Sequence, residues 1–104
     1  MLVIDQTQNN ATAEVRVGDS FRVQLSENPT TGYRWHLQSG VTPALRLLED
    51  SFAAATGGPG GGGVRYWTFA ADKPGPVALR IELKPSWQPQ SVETFAATID
   101  VKAR

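Results

Sequence analysis

The sequence predicts an all-β domain, a sandwich or barrel of about six to eight short strands. Three observations predict it. Apolar residues recur at every second position along most segments, the period of half-buried strands. Turn-forming residues fall between those segments: Gly18-Asp19, Asn28-Pro29, the glycine cluster at 57–63, Pro74-Gly75-Pro76 and the run from Pro85 to Pro89. The composition is globular, since 40% hydrophobic and 19% charged residues together exclude a disordered chain.

The elements follow in order. LVID and ATAEVRV, near the start, are short strand candidates. SFRVQLSE puts Phe21, Val23 and Leu25 on one face. After a turn, Tyr33, Trp35 and Leu37 share a face. ALRLLEDSF reads as a strand, although Leu45 and Leu48 also fit a helical spacing. In VRYWTF, Trp67 and Phe69 alternate with Tyr66 and Thr68. Val77, Leu79, Ile81 and Leu83 alternate in PVALRIEL, and Phe95, Ala97, Ile99 and Val101 do so near the end. The 104 residues suit a single domain spanning 1–104, long enough to bury a core without staples.

The order of strands and turns places three unusual loops together. The loops at 28–32, 56–63 and 85–91 are separated by two strand passages each. Two antiparallel passages return a chain to the end it left. All three loops are therefore expected at one pole.

Composition excludes several function classes. Ten basic residues balance ten acidic ones, so there is no basic footprint for nucleic acid or for an anionic membrane. No apolar run approaches the ~20 residues of a membrane helix. MLVIDQTQNN lacks the basic and apolar regions of a signal peptide. The compartment stays open: periplasmic or secreted if a leader has been removed, cytoplasmic otherwise. With no cysteine, a disulfide framework, a thiolate nucleophile and a cysteine zinc site are excluded. His36 is the sole histidine and falls out of phase with Tyr33, Trp35 and Leu37, as an exposed strand residue would. Glu49-Asp50 reads as a solvated turn. No nucleophile elbow is present. An enzyme is the least supported class, and no cofactor or metal is implied.

Each loop has a bland and a functional reading. Asn28-Pro29 starts a turn, Thr30 and Thr31 offer hydroxyls, and Gly32 permits positive φ or a close backbone approach. Those hydroxyls either satisfy local backbone or meet a partner. GGPGGGG, at 57–63, lacks the following Lys-Ser/Thr and helix that a phosphate cradle needs. It is either a flexible connector or a loop thinned so that another protein can approach its backbone. In KPSWQPQ, Trp87 sits between Pro85 and Pro89. A tryptophan on a proline-stiffened loop is a good interface anchor, with much area and little entropy to lose. The alternative folds it back over the sandwich edge.

In this order, the three loops resemble those of the chagasin family of inhibitors of papain-like cysteine peptidases. The family's first motif, NPTTG followed by an aromatic, stands intact at Asn28, Pro29, Thr30, Thr31, Gly32 and Tyr33. Its second, G-x-G-G before an aromatic strand, is matched by Gly60, Gly61, Gly62 and Gly63 when aligned from Trp67 and Phe69. Its third, R-P-W, corresponds to Lys84-Pro85-Ser86-Trp87, with lysine for arginine and a serine inserted before the tryptophan. The closing VETFAATIDV also looks like the family's final strand, and the resemblance runs from about residue 11 to the end.

That resemblance implies an immunoglobulin-like β-sandwich of about seven to eight strands with three functional loops at one end. It implies a reversible, tight-binding inhibitor that blocks the catalytic cleft of a papain-like cysteine peptidase, with a monomer as the expected state. Thr31 would sit by the catalytic cysteine and histidine, and Gly32 would let the backbone pass close to them. Asn28 and Pro29 would hold the loop's shape, Thr30 would support it, and Tyr33 would root it in the sandwich. Gly60, Gly62 and Gly63, with Gly61 between them, would face one wall of the cleft. Trp87 would pack on the other wall near the primed side, with Pro85 beside it and Lys84 as a helper. Two other classes compete: an immunoglobulin-like carbohydrate- or protein-binding module without peptidase inhibition, and a structural domain that pairs through an exposed edge strand.

Overall fold

The computed structural model describes residues 1–28, 31–54 and 62–104. Pro29, Thr30, Gly60 and Gly61 lie outside the described residues, as do 55–59.

Among the described residues, eight strands follow one another: β1 (Leu2–Ile4), β2 (Thr12–Arg16), β3 (Ser20–Glu27), β4 (Tyr33–Ser39), β5 (Leu45–Ala54), β6 (Gly63–Ala71), β7 (Gly75–Pro85) and β8 (Glu93–Lys102). A 3-10 turn at Gln6–Gln8, capped by the Asp5 side chain, separates the first two. The strands form two four-stranded sheets, in the orders β1-β3-β6-β5 and β2-β8-β7-β4. The fold is thus the expected all-β sandwich. The short strands β1 and β2 add in parallel, to β3 and β8 respectively, and the other pairings are antiparallel.

The alternating faces predicted from sequence meet between the sheets. Phe21, Val23 and Leu25 from β3 and Trp67 and Phe69 from β6 are fully buried. They face Trp35 from β4, Val77, Leu79 and Ile81 from β7, and Phe95, Ile99 and Val101 from β8. Phe21 and Phe69 are register partners, and their rings stack at 5.4 Å. Such cross-strand aromatic pairs fix register as well as filling volume.

The strand reading of ALRLLEDSF holds, and one local expectation is corrected. ALRLLEDSF is one strand that continues to Ala54, and its register shifts between Leu47 and Glu49. Leu48 is the extra residue of that bulge and stays half exposed, which explains why the leucines do not keep a period of two. Glu49 and Asp50 are not a solvated turn. They lie inside β5, held by Arg22 at 3.7 Å and by Arg65 at 2.6 Å.

The topology delivers the predicted pole. The chain leaves it along β4 and returns along β5, then leaves along β6 and returns along β7. The C-terminal ends of β3, β5 and β7 therefore lie at one end of the sandwich.

Candidate functional site

At that pole, the loop after β3 is central. Its entry is fixed by a residue that sequence reasoning missed. Glu27 continues the inward phase of Phe21, Val23 and Leu25, so its carboxylate is buried. It accepts the backbone N–H of Trp35 at 2.7 Å, and the Trp35 indole N–H donates to Ser26 O at 2.8 Å. These two bonds tie the end of one sheet to the start of the other across the loop. Arg65 stands 4.0 Å from the second Glu27 oxygen and joins it to Asp50 on β5. Counting the inward phase one step further along SFRVQLSE would have found Glu27.

Within the loop, the Thr31 hydroxyl donates to Asn28 O at 2.8 Å and accepts the Tyr33 N–H at 3.2 Å. The Thr31 N–H also donates to Asn28 O. Thr31 is exposed, but its hydroxyl is satisfied within the loop. Gly32 has φ +80°, the left-handed region, and a Cβ there would stand 2.8 Å from Trp87 Cζ3. Glycine is favoured there by the left-handed backbone, and its lack of a side chain lets the Trp87 ring approach.

The third loop leans on the first. Pro85 ends β7 as a buried residue opposite Tyr33, and the Val92 N–H donates to Leu83 O, closing the loop at its base. Trp87 projects with 65% of its surface exposed. Its ring meets Tyr33 edge-on, with centroids 5.6 Å apart and planes at 82°. Tyr33, the first residue of β4, is half-buried and packs against Trp87. Pro85, by contrast, lies under the loop. Lys84 is half-buried and pairs in register with Arg34 on β4.

On the opposite side, Gly62 and Gly63 lead into β6. A Cβ on Gly62 would lie 3.2 Å from Glu27 O and 3.6 Å from Asn28 Cβ, so the second loop leaves the sheet directly beside the first. Gly63 pairs with both Glu27 and Ala54, and a Cβ there would collide with the Ala53 carbonyl. Its glycine is thus needed for strand packing. The central loop is flanked by Gly62 on one side and by Trp87 on the other.

Among the described residues, no acid/base constellation accompanies this arrangement. His36 is exposed on β4, as expected. Among the described residues, no cluster of three or more His, Cys, Asp or Glu could hold a metal, and no helix is long and apolar enough to cross a membrane. A sandwich that brings Thr31, Gly32, Gly62 and Trp87 together at one pole presents a surface suited to docking on another protein. The chain belongs to the chagasin family of peptidase inhibitors, whose model, described as "Chagasin family peptidase inhibitor I42", matches residues 14–99.

Its relatives agree. The chain is 26% identical to Chagasin of Trypanosoma cruzi over 105 residues, covering 96% of each protein. Its fold is similar to the crystal structure of the cysteine protease inhibitor EhICP2 from Entamoeba histolytica, with a TM-score of 0.87 at 19% identity, covering 97% of this chain and 95% of that one. It is also similar in fold to PbICP-C, solved in complex with falcipain-2, with a TM-score of 0.68 at 16% identity and full coverage of both chains.

Proposed function

We propose that this peptidase inhibitor blocks papain-like cysteine peptidases reversibly, by seating the loop at 28–32 in the catalytic cleft. The glycine loop and Trp87 then hold the two walls. The observation that carries this reading is the bracing of the central loop: Trp87 packs against Gly32 and Tyr33 on one side, and Gly62 abuts Glu27 and Asn28 on the other. A wedge built this way loses little conformational entropy on docking, which is what tight binding across a standard interface of ~1,600 Å² requires.

Thr31 belongs at the tip, beside the catalytic cysteine and histidine. Its hydroxyl is occupied within the loop, so it blocks the cleft without competing for the catalytic proton. Asn28, Pro29 and Thr30 complete the same loop, and Gly60 and Gly61 continue the glycine loop beyond Gly62. A glycan-stacking platform would need neighbouring rings presented face up, whereas Tyr33 and Trp87 meet edge to face.

The test is a titration of active papain with the purified protein, following hydrolysis of a fluorogenic peptide. The expected result is stoichiometric loss of activity with the inhibitor recovered uncleaved. Full activity of both papain and a cathepsin-type peptidase at micromolar inhibitor would overturn the reading.

A further inference from the structure

Beside Trp87 the sheet carries two positive charges directly opposite one another. Arg34 on β4 and Lys84 on β7 are register partners on the outward face. Like charges in this position destabilise a sheet. Among the described residues, neither makes an ion pair within 4.0 Å. The nearby acids are otherwise placed. Glu82, two residues before Lys84, is held by Arg80 at 3.1 Å, and Glu27 is turned into the core. Arg34 and Lys84 line one shallow recess together with Gly32, His36 and Ser86, and Lys84 also lines the adjoining recess at the foot of Trp87. The chain's net charge is zero, so this patch is a local field and not part of a general excess.

We infer that Arg34 and Lys84 form a specificity determinant that selects papain-like peptidases with acidic side chains on the cleft wall contacted by Trp87. The inference rests on the cleft-blocking reading above. When Trp87 docks, the recess beside it closes against that wall and both cations lose water. A carboxylate there relieves their mutual repulsion, whereas a neutral or basic wall leaves two unpaired charges at the interface. Selection thus works by penalty against the wrong wall as much as by attraction to the right one.

The experiment compares two papain-like peptidases, one with acidic and one with basic residues on that wall. Association rates are measured at low and at physiological salt for the wild-type inhibitor, R34Q/K84Q and R34E/K84E. A further variant, K73E/R104E, makes the same change of net charge as R34E/K84E but at the far end of a molecule 45 Å long. R34E/K84E is expected to slow association with the acidic peptidase about tenfold at low salt and to speed association with the basic one, with R34Q/K84Q between. K73E/R104E changes neither rate appreciably, since its charges lie several screening lengths of about 8 Å from the docking pole. Parallel responses of the two peptidases, or an equal effect from K73E/R104E, would overturn the inference while leaving cleft blocking intact. Failure of the wild type to inhibit either peptidase would overturn both.

Discussion

Trp87 and Gly32 illustrate how a single residue can serve structure and function together. Trp87 is exposed enough to anchor a partner, yet its ring already rests on Gly32 and Tyr33. Replacing Trp87 by alanine removes both the anchor and the brace. Inhibition is expected to weaken by at least ~2 kcal/mol, roughly thirtyfold in the inhibition constant, with a much smaller change in melting temperature. Unchanged inhibition would show that the third loop does not dock. Gly32→Ala attacks the same contact from the other side. The new Cβ meets the indole, and left-handed backbone on a non-glycine residue costs about 1–2 kcal/mol. Melting temperature and inhibition should therefore both fall. Because the steric part of Gly32→Ala depends on Trp87 while the backbone strain does not, the double variant should lose less inhibition than the two single losses combined. Additive losses in a double-mutant cycle would refute the brace.

At the scale of elements, the hinge between β3 and β4 carries the central loop from one sheet to the other. Glu27 secures it by accepting the Trp35 N–H, a bond that is buried and charge-assisted. Glu27→Ala leaves that donor unpaired, at an expected cost of ~1–3 kcal/mol in unfolding free energy. Glu27→Gln keeps an acceptor at the same place and should recover most of the loss. Equal melting temperatures for the two variants would mean that the bond does not secure the hinge. The hinge was partly legible in the sequence. The inward phase of β3 runs through Glu27, but periodicity alone does not tell a buried carboxylate from a polar residue that opens a loop. The bulge at Leu48 was less legible, since an inserted residue looks the same as a break in the strand pattern until its partner strand is known.

For the whole molecule, stability and inhibition should separate, because the core and the docking loops occupy different parts of the sandwich. Phe69 is fully buried and stacked on Phe21, toward the end of β6 away from the loops. Phe69→Ala should cost ~3–5 kcal/mol and lower the melting temperature by more than about 10 °C. The inhibition constant measured well below the transition should stay close to that of the wild type. A matching loss of affinity would show that the pole is not rigidly carried by the sandwich as proposed.

The class of fold, the strands and the shared pole were legible along the chain, because a period of two, turn residues and the parity of strand passages are local properties of it. It also carried the intact NPTTG motif and the exposed tryptophan. Only the tertiary structure decided what each of these residues touches. It set Tyr33 against Trp87, gave Gly63 a packing reason, and brought Arg34 opposite Lys84. The physical reason is that alternation fixes which face a side chain takes but not which strand lies beside it. Residues far apart in sequence, such as Gly32 and Trp87, meet only when the sheets have chosen their partners and register.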